Sequence, residues 1–141
     1  MDQKIWYIPA RNDRLEKKVG IYCRVSTNEK EQLYSLAAQI SALTRAVAHV
    51  SQWRLADVFI DIVSAKGELP RREFERLIRE CEAHNISIVL TKSISRFGRD
   101  TVETLSAINR LKAAGVRIIF EQENLDTEEV DSNLMISVME S

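Results

Sequence analysis

The sequence predicts an α/β domain with a mostly parallel central sheet flanked by helices. Three observations carry that prediction. Short apolar runs alternate along the chain with stretches of helical periodicity. The connections between them are short and bear turn residues, with no internal repeat and no low-complexity linker. At 141 residues, 45% hydrophobic and 29% charged, the chain has the size and composition of one domain with one buried core.

The elements follow in order. Val19 to Arg24 reads as a first, buried strand. A helix is expected from Gln32 to Val50, where Leu36, Ile40, Leu43 and Val47 recur at helical spacing. Trp53 to Ile62 forms the second strand, and a loop with Gly67 and Pro70 follows. The next helix, Arg72 to His84, gathers Phe74, Leu77, Ile78 and Cys81 on one face. Ile86 to Thr91 is the third strand. After the loop S-R-F-G-R-D at 95–100, a helix runs through Ala114 with Leu105, Ile108 and Leu111 facing inward, stopped by Gly115. Val116 to Phe120 is the fourth strand. Repeated β-then-α units of this kind build a parallel sheet. A last helix begins at Asp131 with Leu134, Met135, Val138 and Met139 on one side, and it reaches Ser141 with no glycine, lysine or arginine to finish it. Its apolar side is expected to stand exposed and to favour weak self-association.

Composition narrows the chemistry. No apolar run approaches membrane-spanning length, and the N-terminal M-D-Q-K-I-W-Y-I-P-A lacks a signal-peptide core, so the expectation is a cytoplasmic protein without a membrane partner. Two cysteines, Cys23 and Cys81, and two distant histidines, His49 and His84, offer neither a disulfide framework nor zinc-ligand spacing. No metal or cofactor is expected. Net charge is −1, too little to grip a polyanion over the whole surface, so any nucleic-acid contact must be local.

Two strings supply such a locality. Y-C-R-V-S-T at 22–27 places the hydroxyl of Ser26 two residues after Arg24, and S-R-F-G-R-D supplies Arg96 and Arg99. A serine attacking a phosphate ester needs charge stabilised on the phosphorus oxygens, and forked guanidinium donors can do this without a metal. In open parallel α/β sheets, ligands bind beyond the carboxyl ends of the strands. Arg24 and Ser26 close the first strand, Asp61 and Ser64 the second, and Lys92 to Arg99 follow the third, so all belong to one edge. Arg72 joins them if its loop folds back. Blander readings stand beside these: Ser26 as a turn or helix-capping residue, Arg99 paired with Glu103 one helical turn on, and Gln39 as a boundary residue. Cys23 alternates with Tyr22 and Arg24, so it faces the core and is no nucleophile.

Taken together, Y-C-R-V-S-T, the S-L-A-A-Q ending at Gln39, P-R-R-E-F-E-R-L at 70–77 and T-K-S-I-S-R-F-G-R-D-T-V-E-T-L at 91–105 resemble the N-terminal catalytic domain of serine site-specific recombinases, the resolvase and invertase family. The resemblance runs from Lys18 almost to the end. It is strongest toward the large serine recombinases of conjugative transposons and phages, through the I-P-A ahead of the first strand, the form K-S-I-S-R-F-G-R and the closing E-Q-E-N-L-D-T. Ser95 stands where small resolvases carry aspartate, which fits the large class. Ala65 stands where glycine is usual.

The resemblance implies a resolvase-like catalytic domain at 19–131, preceded by an extension at 1–18 and followed at 132–141 by the start of a long dimerisation helix. It implies Ser26 as the nucleophile that cleaves DNA through a 5′-phosphoserine link and frees a 3′-hydroxyl. Arg24, Arg72, Arg96 and Arg99 match the catalytic arginines, with Arg71 the alternative to Arg72. Gln39, Asp61 and Ser64, with Tyr22 and Ser95 inside the two strings, match supporting positions. The implied partners are double-stranded DNA attachment sites and further copies of the protein, dimers assembling to a tetramer, for integration or excision of a mobile element without ATP, metal or other cofactor. A catalytically silent module of the same family, kept for DNA-complex assembly or regulation, is the alternative.

Overall fold

A computed structural model describes residues 16–26, 30–63 and 71–140, without the side chains of Ser26, residues 30–33 and Ser132. Strand β1 (Lys17–Ser26) is the centre of the fold: it pairs in parallel with β2 (Trp53–Val63) on one side and β3 (Ile88–Thr91) on the other. Strand β4 (Arg117–Phe120) continues the parallel pairing beside β3. A two-residue strand, β5 (Leu125–Asp126), closes that side antiparallel to β4, giving the order β2-β1-β3-β4-β5.

Period-two alternation sorts the central strands between two cores. Val19, Ile21 and Cys23 of β1, with Ile88 and Leu90 of β3, pack on one face against Leu43 and Val47 of helix α1 (Lys30–His49). Tyr22 and Val89 point to the opposite face. There they meet Phe74, Leu77, Ile78 and Cys81 of α2 (Arg72–Glu82), and Ala107, Ile108 and Leu111 of the helix Thr101–Ala113. The chain leaves β1 toward β2 through α1, then crosses back through α2 to β3. That reversal puts the topological switch between β1 and β3, where the carboxyl ends of neighbouring strands open a crevice.

Several boundaries differ from expectation for reasons visible in the backbone. Helix α2 stops at Glu82 because His84 adopts φ 63°, with His84 N bonding to Cys81 O and Asn85 N to Glu80 O. This is a Schellman closure with histidine where glycine is usual, so the sequence carries no glycine to announce it. The same closure at the other long helix does use glycine: Gly115 has φ 81° and Val116 N returns to Leu111 O. Inside the loop expected after β3 lies a one-turn helix, α3 (Ile94–Phe97), capped by Ser93. Helix α4 (Thr101–Ala113) follows, with Asp100 as its N-cap accepting from Glu103 N at 2.8 Å.

Helix α5 (Ser132–Glu140) departs most from expectation. Met135 is 1% exposed within the core, and Val138 and Met139 pack against the same cluster, which leaves Leu134 as the exposed one of the four. The apolar side expected to promote self-association is therefore largely consumed by the chain itself. Among the described residues no helix is long and apolar enough to cross a membrane.

Candidate active site

At the carboxyl end of β1 the side chains divide between packing and chemistry. Tyr22 is fully buried, and its hydroxyl donates to Asp61 Oδ2 at 2.7 Å. Asp61, paired in register with Arg24, also accepts from the backbone N of Glu73 and of Phe74, each at 3.0 Å. A strand carboxylate thus satisfies the first free N–H groups of α2 and sits at the positive end of that helix. Its job is to fix where α2 begins. Burial above all, and then the bond to Asp61, raises the Tyr22 phenol well above its ordinary value, so Tyr22 stays neutral.

Where α2 begins determines which arginine reaches the site. Arg71, at the N-cap position, is 6% exposed and turned inward. Its NH2 donates to the Tyr22 hydroxyl at 2.9 Å and to Phe97 O, its NH1 to Glu103, and its guanidinium lies 3.9 Å over the Phe74 ring. Arg72, the residue expected there, is exposed on the first turn of α2. One residue of helix phase separates the two side chains, and the preceding loop, with Ser64, lies outside the described residues.

The loop after β3 is tied to the end of β1 by a reciprocal clasp. Arg96 NH1 donates to Arg24 O at 3.0 Å, and Arg24 NH2 donates to Ser95 O. Thr91 Oγ1 adds a bond to Tyr22 O at 2.9 Å. Ser93 Oγ accepts from Arg96 N and lies 3.1 Å from Ser95 Oγ, so Ser95 is an exposed neighbour of the clasp. Arg99 turns back on Glu103, with Nε and NH2 on Oε2 at 3.0 and 2.9 Å. A Cβ on Gly98 would fall 1.7 Å from Thr104 Oγ1, so only glycine lets the α3–α4 turn close this tightly.

Arg71 and Arg96 therefore lie near enough to Arg24 at the end of β1 for their charges to act on it, and Arg99 joins them through Glu103. Burial, then the charges of Arg71 and Arg96, push the Arg24 guanidinium below its ordinary value. Burial alone would raise Glu103, but the hydrogen bonds and charges of Arg99 and Arg71 hold its carboxyl below the usual range. Among the described residues this places more forked cations than carboxylates beside a strand end, an arrangement whose chemistry suits an anion. The Ser26 backbone closes β1 at this point; its hydroxyl lies outside the described positions.

Gln39 is brought to the same edge on the α1 face. It is buried, bonds Ser35 Oγ through Nε2 at 3.2 Å, and lines a cavity of about 170 Å³ with Lys92 and Glu121. Sequence reasoning gave Glu103 only a surface pairing with Arg99, and its second bond, to Arg71, was invisible there. The D-x-x-E of Asp100 and Glu103, a capping signature, was the available signal.

The fold and sequence have relatives among known proteins. The family model described as the resolvase N-terminal domain matches residues 19–141. A resolvase/recombinase of Pseudomonas putida is 30% identical over 118 residues, covering 84% of this chain and 59% of that protein. The Transposon Tn3 resolvase of Escherichia coli is 28% identical over the same share of this chain and 57% of its own length. The chain thus spans less than two thirds of these curated relatives. Among solved structures, a resolvase family site-specific recombinase from Streptococcus pneumoniae superposes with TM-score 0.72 at 28% identity, over 89% of this chain and 84% of that one. The N-terminal catalytic domain of TP901-1 integrase superposes with TM-score 0.73 at 28% identity, over 88% and 92%.

Proposed function

This chain belongs to the resolvase family through its N-terminal domain, and on that premise we propose that it is the catalytic domain of a serine recombinase acting on double-stranded DNA. The observation that carries the reading is the convergence of Arg24, Arg71, Arg96 and Arg99 on the end of the strand that Ser26 closes. Ser26 Oγ attacks the scissile phosphorus, the Oγ–P bond forms, and the P–O3′ bond breaks. The serine proton leaves Oγ as the 3′ oxygen gains one, so the products are a 5′-phosphoserine and a 3′-hydroxyl. Rejoining runs the exchange backward with a new 3′-hydroxyl. Phosphoester energy is conserved in the link, so the step needs no nucleotide cofactor.

The arginines share the work according to their surroundings. Arg24, half-buried and held below its ordinary value, is the guanidinium best suited to pass a proton near Ser26. Arg96 fixes the strand end by gripping Arg24 O, and Arg99, exposed at the rim, keeps its fork on Glu103 until a phosphate takes it. We assign to Arg71 the role that the sequence gave Arg72, on the ground that Arg71 is the one buried among Tyr22, Phe97 and Glu103. Asp61 and Tyr22 hold Arg71 in place, and Gln39 supports the α1 side. The finer reading follows the family: a cytoplasmic protein, dimers joining as a tetramer on paired attachment sites, and integration or excision of a mobile element, with the catalytic unit at 19–131 and a dimerisation helix opening at 132–141.

The deciding experiment is adduct trapping on DNA interrupted at the cleavage site, with a full-length recombinase carrying this domain. Ser26→Ala is expected to abolish the covalent protein–DNA species while leaving site binding nearly intact. A phosphoserine link formed by that variant would remove Ser26 from the mechanism; a wild-type protein that binds sites and forms none would favour a silent assembly module.

A further inference from the structure

We propose that Glu103 is a positioning residue that locks Arg71 and Arg99 into one unit and surrenders the Arg99 fork to an incoming phosphate. The inference rests on the recombinase reading above and names a control element within its site.

A single carboxylate serves two arginines with different surroundings. Glu103 Oε2 accepts Nε and NH2 of Arg99 side-on, the forked face that two phosphate oxygens would otherwise take. Oε1 accepts the Arg99 backbone N at 2.9 Å and NH1 of Arg71. Arg71 cannot readily leave this arrangement: it is 6% exposed, bonded to Tyr22 and Phe97, and stacked on Phe74. Arg99 is 41% exposed, so its pairing with Glu103 competes with water and with any anion that arrives. Glu103 itself is anchored, because its backbone N is held by the Asp100 cap at the start of α4. The carboxylate is thus a fixed post between one immobile and one exchangeable guanidinium.

Two consequences follow for the reaction. With no DNA bound, Glu103 holds Arg99 in one rotamer through its Nε and NH2, which lowers the ordering cost when a phosphate takes over those two donors. Its charge also acts on both Arg24 and Arg71, which repel each other, so it keeps them compatible before the phosphate arrives. Neutralising it should favour the bound anion and harm the chemistry at once. That opposite sign separates positioning from a purely structural role, in which binding and rate would decline together with folding.

The test uses two variants and one spectroscopic signature. In a full-length recombinase carrying this domain, Glu103→Gln is expected to slow single-turnover cleavage about 10²-fold while affinity for inorganic phosphate and for site DNA stays level or rises. Glu103→Asp keeps the charge but is one methylene too short to bridge both arginines, so its rate should fall to a similar degree. Wild-type rates in Glu103→Asp would overturn the bridging geometry, and wild-type rates in Glu103→Gln would overturn the proposal altogether. In the 141-residue wild-type chain, titration with inorganic phosphate should move the Arg99 Nε–Hε resonance while leaving that of Arg71 in place. Movement of both, or of neither, would refute the division between exchangeable and fixed arginines. A wild-type protein that forms no serine adduct would instead reject the recombinase reading, and the resonance titration would still decide the arrangement at Glu103.

Discussion

The two edges of the sheet carry similar residues and differ in how their charges are balanced. At the amino edge, Lys17, Lys112 and Arg117 line a cavity of about 320 Å³ with Ser87, Thr127 and Glu128, larger than two at the carboxyl edge of about 290 and 170 Å³. Arg117 is answered there by two carboxylates, Asp126 and Glu128, and the hydrogen bond from Asp126 above all raises its guanidinium above the ordinary value. At the carboxyl edge Arg24 moves the opposite way, lowered by burial and by neighbouring arginines. Asp61 is spent on Tyr22 and the start of α2, which leaves Glu103, among the described residues, as the carboxylate bonded to the arginines of this rim. Cavity size and basic composition do not distinguish a site from a surface; the sign of the local imbalance does.

The largest effect should come from removing the buried arginine of the carboxyl edge. Arg71→Ala leaves Phe97 O without its guanidinium and Glu103 with Arg99 alone, so a stability loss of about 2 kcal/mol is expected together with a cleavage loss of about 10²- to 10³-fold. Arg72→Ala, one residue along and exposed, should stay within about 0.5 kcal/mol and keep most activity. Denaturant melts and adduct formation measured on both variants decide the pair. An inactive Arg72→Ala beside an active Arg71→Ala would return the role to Arg72 and dissolve the charge argument.

Next in size are the two loop arginines. Arg96→Lys cannot reproduce its guanidinium contact to Arg24 O, and Arg99→Lys loses the fork that Glu103 now holds. Each should lose most cleavage activity, a cost on the order of a few kcal/mol in the transition state. Full cleavage rates in both lysine variants would show that charge alone suffices at this edge and that fork geometry adds nothing.

What the sequence disclosed and what it withheld follow from the range of each interaction. Alternation and helical spacing are local, so β1 to β4 and helices α1, α2 and α4 were legible, as was the edge on which Arg24, Asp61 and Arg96 meet. Strand β5 was not, because two residues carry no period. The end of α2 was misread by two residues because His84 does the work of glycine. The choice between Arg71 and Arg72 depended on where Asp61, from another element, receives the helix N-terminus. The exposed apolar side expected of α5 failed for the same kind of reason: Met135 finds its partners in distant segments.

A smaller and uniform effect should appear when the shared core is stressed instead of either edge. Cys23 lies in the core under α1 and Cys81 in the core under α2 and α4; burial pushes their thiols up from 9.0 to about 11 and about 12. A group whose folded-state value is raised contributes stability that is complete below its unfolded value and is lost as pH rises through the folded one. The melting temperature should therefore hold steady up to about pH 9, where an ordinary thiol titrates, and decline above it. Both edges should melt together, since the two cores share β1 and β3. Separate transitions would show that the edges rest on independent cores, and a melting temperature that rises between about pH 9 and about 11 would refute the raised thiols of Cys23 and Cys81.

The smallest effect is expected at the amino edge, and it carries the comparison furthest. Arg117 is one third exposed, and its ion pairs with Asp126 and Glu128 are of the surface type, so Arg117→Ala should cost about 0–1 kcal/mol. It should also leave cleavage unchanged, because Arg117 opens β4 while Arg24, Arg71, Arg96 and Arg99, the arginines of the proposed site, belong to the opposite, carboxyl edge. Adding Lys17→Ala and Lys112→Ala should lower non-specific DNA affinity only slightly, since each removes one exposed charge outside the proposed path of the substrate. Comparing the salt dependence of binding for this triple variant with that for Arg99→Ala makes the contrast quantitative. If the amino-edge variant reduced the salt slope as much as Arg99→Ala does, DNA would be touching both ends of the sheet, and the balance of carboxylates around Arg117 would not be what keeps phosphate away.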